Sequence, residues 1–106
     1  MESKLLAKEI KQHLNKHLNN IVSDVVIFGS RVKGNATKDS DYDVLIILNT
    51  NYDRKIQKLI NSLCYDFDLK YDIFLDTQII SEFELINSMR GKHPVFKTAL
   101  KEGLHA

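Results

Sequence analysis

Val25-Val26-Ile27-Phe28-Gly29-Ser30-Arg31-Val32-Lys33-Gly34-Asn35-Ala36-Thr37-Lys38-Asp39-Ser40-Asp41-Tyr42-Asp43-Val44-Leu45-Ile46-Ile47-Leu48 is the stretch on which the reading of this chain turns. Two apolar runs, Val25–Phe28 and Val44–Leu48, enclose a polar loop. Side chains on a strand alternate between faces, so residues two apart share one face. If Asp41 and Asp43 open the second strand, their carboxylates point the same way. Two like charges that close repel and raise a pKa. A divalent cation removes that penalty, and hard carboxylate oxygens suit Mg²⁺. Tyr42 then faces the opposite side and packs. Taken alone, Asp-x-Asp reads more readily as a polar strand edge or a turn than as a metal site.

The Gly-Ser pair upstream changes that balance. Gly29-Ser30 ends an apolar run that reads as a buried strand. Glycine there lets the backbone approach a ligand with no Cβ in the way. Ser30 offers a hydroxyl and a backbone N–H, and a helical turn starting at Ser30 would form an anion site. Arg31 and Lys33 add positive charge just beyond, and Gly34 gives the loop a second flexible point. Together these residues point to nucleotide phosphate and metal.

A third carboxylate would complete a two-metal site. Leu69-Lys70-Tyr71-Asp72-Ile73-Phe74-Leu75 reads as a further strand with Asp72 inside it. A buried acid is costly unless paired or metal-bound, so Asp72 is the expected third ligand. Asp66, Asp68 and Asp76 compete for that role, but fall at the ends of the expected strand and read as solvated or turn residues.

Gly-Ser, nine intervening residues from Arg31 to Asp39, then Ser40-Asp41-Tyr42-Asp43 and a later strand Asp resemble the nucleotidyltransferase superfamily related to DNA polymerase beta. More narrowly, the chain resembles the minimal nucleotidyltransferases (MNT) of prokaryotes, from the first helix to Glu102-Gly103. The resemblance implies the α/β nucleotidyltransferase fold, a small mixed sheet with helices packed against it. It implies that Asp41 and Asp43 bind two Mg²⁺ ions, and that Asp72 helps bind the catalytic metal and orients or deprotonates the attacking hydroxyl. Gly29 and Ser30 would hold the triphosphate, with Arg31 and Ser40 beside them. The implied reaction transfers AMP from ATP to an acceptor hydroxyl and releases pyrophosphate. All three acidic positions are filled, which argues against a degenerate copy. The family context implies an antitoxin of a toxin–antitoxin module, whose partner is a HEPN-family ribonuclease toxin modified on a tyrosine hydroxyl.

The chain has 106 residues, which reads as a single domain over 1–106 with a modest core. That leaves no room for a separate substrate-binding domain, so the acceptor is expected to be held by a short cleft, by a partner, or to be a protein itself. A net charge of +1 with mixed signs makes nucleic acid an unexpected partner. Lys4, Lys8, Lys11 and Lys16 read as a solvated helix face. The single cysteine, Cys64, excludes an intrachain disulfide and reads as core. With no signal peptide and no apolar run of membrane length, the chain reads as cytoplasmic.

Leu6, Ile10, Leu14 and Leu18 mark an amphipathic helix with Ser3 as N-cap. Strands are expected near Asp24–Phe28, Asp43–Leu48 and Tyr71–Leu75. A helix carries Ile56, Leu59, Ile60, Leu63, Cys64 and Phe67. Asp76-Thr77 is expected to open another helix with Ile79, Ile80, Phe83, Ile86 and Met89. Pro94 and Gly103 bound a last short helix. Arg90-Gly91-Lys92-His93 is too closely spaced to match the Arg-and-His ribonuclease motif of the HEPN family. Two other functions remain open: a non-catalytic module that neutralises its partner by contact, and a small-molecule transferase whose pocket a partner subunit completes.

Overall fold

The computed structural model describes residues 2–34 and 41–106; Ser40, read above as part of the nucleotide-binding set, lies outside them. Helix α1 spans Ser3–His17 and buries Leu6, Ala7, Ile10 and Leu14 along one stripe. Its N-cap is Glu2 rather than the expected Ser3: the Glu2 carboxylate accepts from the Lys4 N–H at 3.2 Å. Strand β1, Val22–Phe28, leads through Gly29 into the single turn α2, Ser30–Lys33. Strand β2 is Tyr42–Leu48 and helix α3 is Arg54–Tyr71, capped by Asp53 on the Ile56 N–H at 2.9 Å.

The third strand corrects the sequence reading. Helix α3 continues through Leu69-Lys70-Tyr71, where a strand was expected, and strand β3 is Leu75–Ser81, where a helix was expected. Asp72 is therefore not inside a strand: it is the helix C-cap, exposed, in the left-handed region at φ 52°. The short run Ile73-Phe74-Leu75 suits either element by pattern alone. What decides is the ladder, because β2 has a second edge whose N–H and C=O groups need partners. The Leu75–Ser81 segment supplies them, running parallel to β2 from Tyr42↔Leu75 to Leu48↔Ser81. Of the expected helix only α4, Glu82–Asn87, remains, started by a capping box between Ser81 and Glu84. A 3-10 turn at Arg90–Lys92, helix α5 (Pro94–Glu102) and the two-residue strand β4 (Leu104–His105) complete the described chain.

The sheet is mixed, with strand order β3-β2-β1-β4. β1 lies antiparallel to both β2 and β4. Alternation along the strands divides the core in two. Val25, Ile27, Val44, Ile46 and Leu48 pack with α1 and α3, which contribute Leu6, Ile10, Leu14, Ile60 and Phe67. Val26, Leu45, Ile47 and Ile80 face the other way, onto Phe96 and Ala99 of α5. Each fully buried Leu or Ile contributes roughly 1.5–3 kcal/mol, so the first face, with two long helices on it, carries most of the stability. The second face is covered less completely: Gln78 of β3 is exposed there. No helix of the described residues is long and apolar enough to cross a membrane.

Candidate functional site

The site forms where β2 begins. Asp43 lies between Phe28 of β1 and Asp76 of β3, its two register partners. Paired residues of adjacent strands point to the same face, so Asp43 and Asp76 share the sparsely covered face with Leu45 and Ile80. Asp41 precedes the strand and is exposed, as is Asp76, whereas Asp43 is half-buried. Burial, then the charge of Asp76, then that of Asp41 push the Asp43 carboxyl above its usual range. Asp68 of α3 belongs to the same acidic region. Its carboxyl is pushed up by burial and by Asp41, against the lowering effect of the Leu75 N–H that it accepts at 3.0 Å.

Gly29 supplies the other wall. It adopts φ 80°, and a Cβ built on it would overlap the Asp43 carboxylate. Only glycine satisfies both conditions at once. The Gly29 carbonyl accepts from the N–H groups of Val32 and Lys33 at 3.1 Å each, which closes α2. Ser30 thus stands at the start of a turn, where N–H groups point away from the helix. Arg31 lies with its guanidinium 4.4 Å from the centre of the Tyr42 ring. Tyr42 is buried in the α1/α3 core, as expected from its position between the two acids. Lys33 reaches Glu102 of α5 at 3.8 Å, an exposed pair that ties α2 to α5 only weakly.

Of the residues singled out in the sequence, the structure brings Gly29, Ser30, Asp41 and Asp43 to one place. Asp72 is set apart at the end of α3, and Asp76 occupies the strand position beside Asp43. The signal that could have found Asp76 was the β-branched pair Ile79-Ile80 downstream, which suits a strand. Among the described residues no three Asp, Glu, His or Cys side chains are drawn together closely enough to enclose an ion. The donor set nevertheless fits a hard divalent cation, because it consists of carboxylates whose mutual repulsion such a cation would relieve.

A mixed sheet bearing a Gly-Ser turn against a row of aspartates is the arrangement of a protein that handles nucleotide phosphates. The model of the nucleotidyltransferase domain family matches residues 6–101, and the chain belongs to that family. Two proteins of Methanocaldococcus jannaschii are similar to it. One, named "Putative protein adenylyltransferase MJ0141", is 32% identical over 75 residues, 71% of this chain and 76% of its own. The other, "Putative protein adenylyltransferase MJ0604", is 30% identical over 87 residues, 82% and 81% of the two chains. Among solved structures, a "putative nucleotidyltransferase" from Sulfolobus solfataricus superposes with a TM-score of 0.52 at 25% identity, covering 77% of this chain and 69% of that one. A structure of the toxin-antitoxin MntA-HpeT mutant shares the fold, with a TM-score of 0.60 at 13% identity over 99% of this chain and 72% of that one.

Proposed function

We propose that this nucleotidyltransferase is a metal-dependent protein adenylyltransferase, moving AMP from ATP to a hydroxyl on a partner protein and acting as its antitoxin. The observation that carries the reading is the row Gly29–Asp43–Asp76, which sets a glycine turn and paired carboxylates side by side at one end of the sheet. In this reading Asp41, Asp43 and Asp76 would hold two Mg²⁺ ions, with Asp76, the register partner of Asp43, in the role first assigned to Asp72. Bound there, the ions would offset charge on the attacking and leaving oxygens. Gly29, Ser30 and Arg31 position the triphosphate, together with Ser40. The acceptor oxygen forms a bond to the α-phosphorus as the bond from that phosphorus to the β-phosphate oxygen breaks. The hydroxyl proton passes to a carboxylate, for which Asp76 is the candidate, and pyrophosphate leaves.

The names of the archaeal relatives support adenylyl transfer to protein. The resemblance of Gly29-Ser30 and Asp41-Tyr42-Asp43 to the minimal nucleotidyltransferases supports an antitoxin role toward a HEPN-family partner. A second reading, neutralisation by contact alone, draws on the exposed apolar residues Phe83, Ile86 and Met89. The test is transfer of label from α-labelled ATP with Mg²⁺, with and without the neighbouring gene product, using an Asp41→Ala/Asp43→Ala control. Label on the partner that vanishes in the control supports the proposal. A stable complex in which the wild-type protein transfers no label favours contact.

A further inference from the structure

Beside the acidic row lies a groove of about 510 Å³ that the reaction scheme has not used. Its floor includes Gln78 of β3, and its walls include Met89, Val95 and Phe96. Gln78 is two residues beyond Asp76 on the same strand, so the two side chains share a face about 7 Å apart along it. Arg90, Lys92 and His93 rim the opening. Arg90 is held in place: its Nη1 lies 3.6 Å from Glu84 and donates to Tyr52 Oη at 3.4 Å, and its guanidinium stacks 5.2 Å above Phe96. A guanidinium has five N–H donors, so these contacts leave capacity for another anion. His93 is spent as the α5 cap, its Nδ1 accepting from the Val95 N–H at 3.1 Å. Lys92 is exposed and forms no ion pair with any described residue.

We infer that this groove binds the acceptor, as a polypeptide segment carrying a carboxylate next to its reactive hydroxyl. The inference rests on the proposed adenylyl transfer. In that transfer the attacking and leaving oxygens lie roughly in line on opposite sides of phosphorus. Gly29 and α2 stand on the β1 side of Asp43, where the triphosphate and its leaving pyrophosphate belong. The β3 side, with Asp76 and then the groove, is left for the attacking group. Lys92 and Arg90 favour a segment with acidic residues. A polypeptide, rather than a small hydroxyl compound, suits the size of the adjoining surface. Met89 ends an exposed apolar run with Phe83 and Ile86, spaced by three along α4 and the following turn.

The test measures binding of fluorescein-labelled poly(Glu,Tyr) and poly(Lys,Tyr) to the wild-type protein, to Lys92→Glu, and to Lys16→Glu on α1 across the sheet. A fluorescent ATP analogue with Mg²⁺ is titrated in parallel. The expected result is a clear preference for poly(Glu,Tyr), weakened roughly fivefold or more by Lys92→Glu and left unchanged by Lys16→Glu, with nucleotide affinity equal in all three. Equal loss in both variants, no binding of poly(Glu,Tyr) by the wild type, or weakened nucleotide binding in Lys92→Glu would each overturn the assignment. Failure of the wild type to bind nucleotide would instead sink adenylyl transfer, a result read separately from the copolymer curves.

Discussion

The α-carbon of Gly29 lies so close to the Asp43 carboxylate that a methyl group on it would overlap Asp43 Oδ2. The turn and the acid are therefore packed against each other, and a side chain added at Gly29 would displace the Asp43 carboxylate. Gly29→Ala meets two penalties: the positive φ, and the overlap with a half-buried carboxylate. Strain of this kind costs of order 1–3 kcal/mol. Chemical denaturation should show that loss, and transfer activity should fall further than stability alone accounts for, because Asp43 is displaced.

Asp76→Asn and Asp72→Asn separate the two candidates for the third carboxylate. Asp72 caps α3 at φ 52°, a conformation asparagine accepts, so Asp72→Asn should leave both fold and transfer near wild type. Asp76→Asn removes a charge facing Asp43 and should lower transfer by about 100-fold or more. Single-turnover rates with α-labelled ATP decide; a silent Asp76→Asn beside an inactive Asp72→Asn would reverse the assignment.

Without metal, Asp76→Asn should also stabilise the chain slightly, since the charge of Asp76 helps push the Asp43 carboxyl up. With metal the order should invert. A cation at about 100 times its dissociation constant adds about 2.7 kcal/mol, which for a domain of this size raises Tm by on the order of 10 °C. Thermal melts with Mg²⁺ and with EDTA should show that rise in the wild type and little of it in Asp43→Asn or Asp76→Asn.

His105 on β4 bonds through Nδ1 to Asp24 at 2.6 Å and through Nε2 to the Leu100 carbonyl at 2.9 Å. The Asp24 bond chiefly, and then the Leu100 carbonyl, raise the imidazole pKa above its ordinary 6.5. A raised folded pKa means that the stabilisation is complete below about 6.5 and is lost as pH climbs through the raised value. Both side chains are partly exposed, so the effect is modest. Melts of wild type and Asp24→Asn should differ most at pH values below the ordinary 6.5 and converge as pH climbs through the raised value; a gap independent of pH would contradict this.

Cys64 is buried in the α3 face of the core, and burial, with Asp68 and Asp66 nearby, pushes its thiol up to about 12. Thiolate, not thiol, is the nucleophile. Ellman's reagent should therefore leave the native protein untouched at pH 8 and titrate one thiol after unfolding. Rapid native labelling would mean that α3 opens locally.

Much of the candidate site was legible because its parts are local. A glycine at a strand end, a serine after it and two acids one residue apart each have a meaning at short range, and Gly29, Ser30, Asp41 and Asp43 do meet in space. The elements with long apolar stripes, α1 and α3, were legible for the same reason: repeat spacing is a property of one segment. Asp72 and Asp76 were not separable that way. Leu69 to Ile80 contains apolar residues that fit a helix end, a strand or a new helix, and the pattern alone does not rank them.

What the amino-acid sequence determined by itself was thus the turn, the Asp-x-Asp pair and the amphipathic faces, all set by steric and hydrophobic rules acting within a few residues. What only the tertiary structure decided was which acid stands beside Asp43. That choice is made by the parallel register of β3 on β2, where Tyr42 meets Leu75 and Asp43 meets Asp76. The register depends on satisfying the backbone groups of β2 and on seating Ile79 and Ile80 on opposite faces of the sheet, in its two core clusters. Those partners lie some thirty residues away along the chain, beyond the reach of any local pattern.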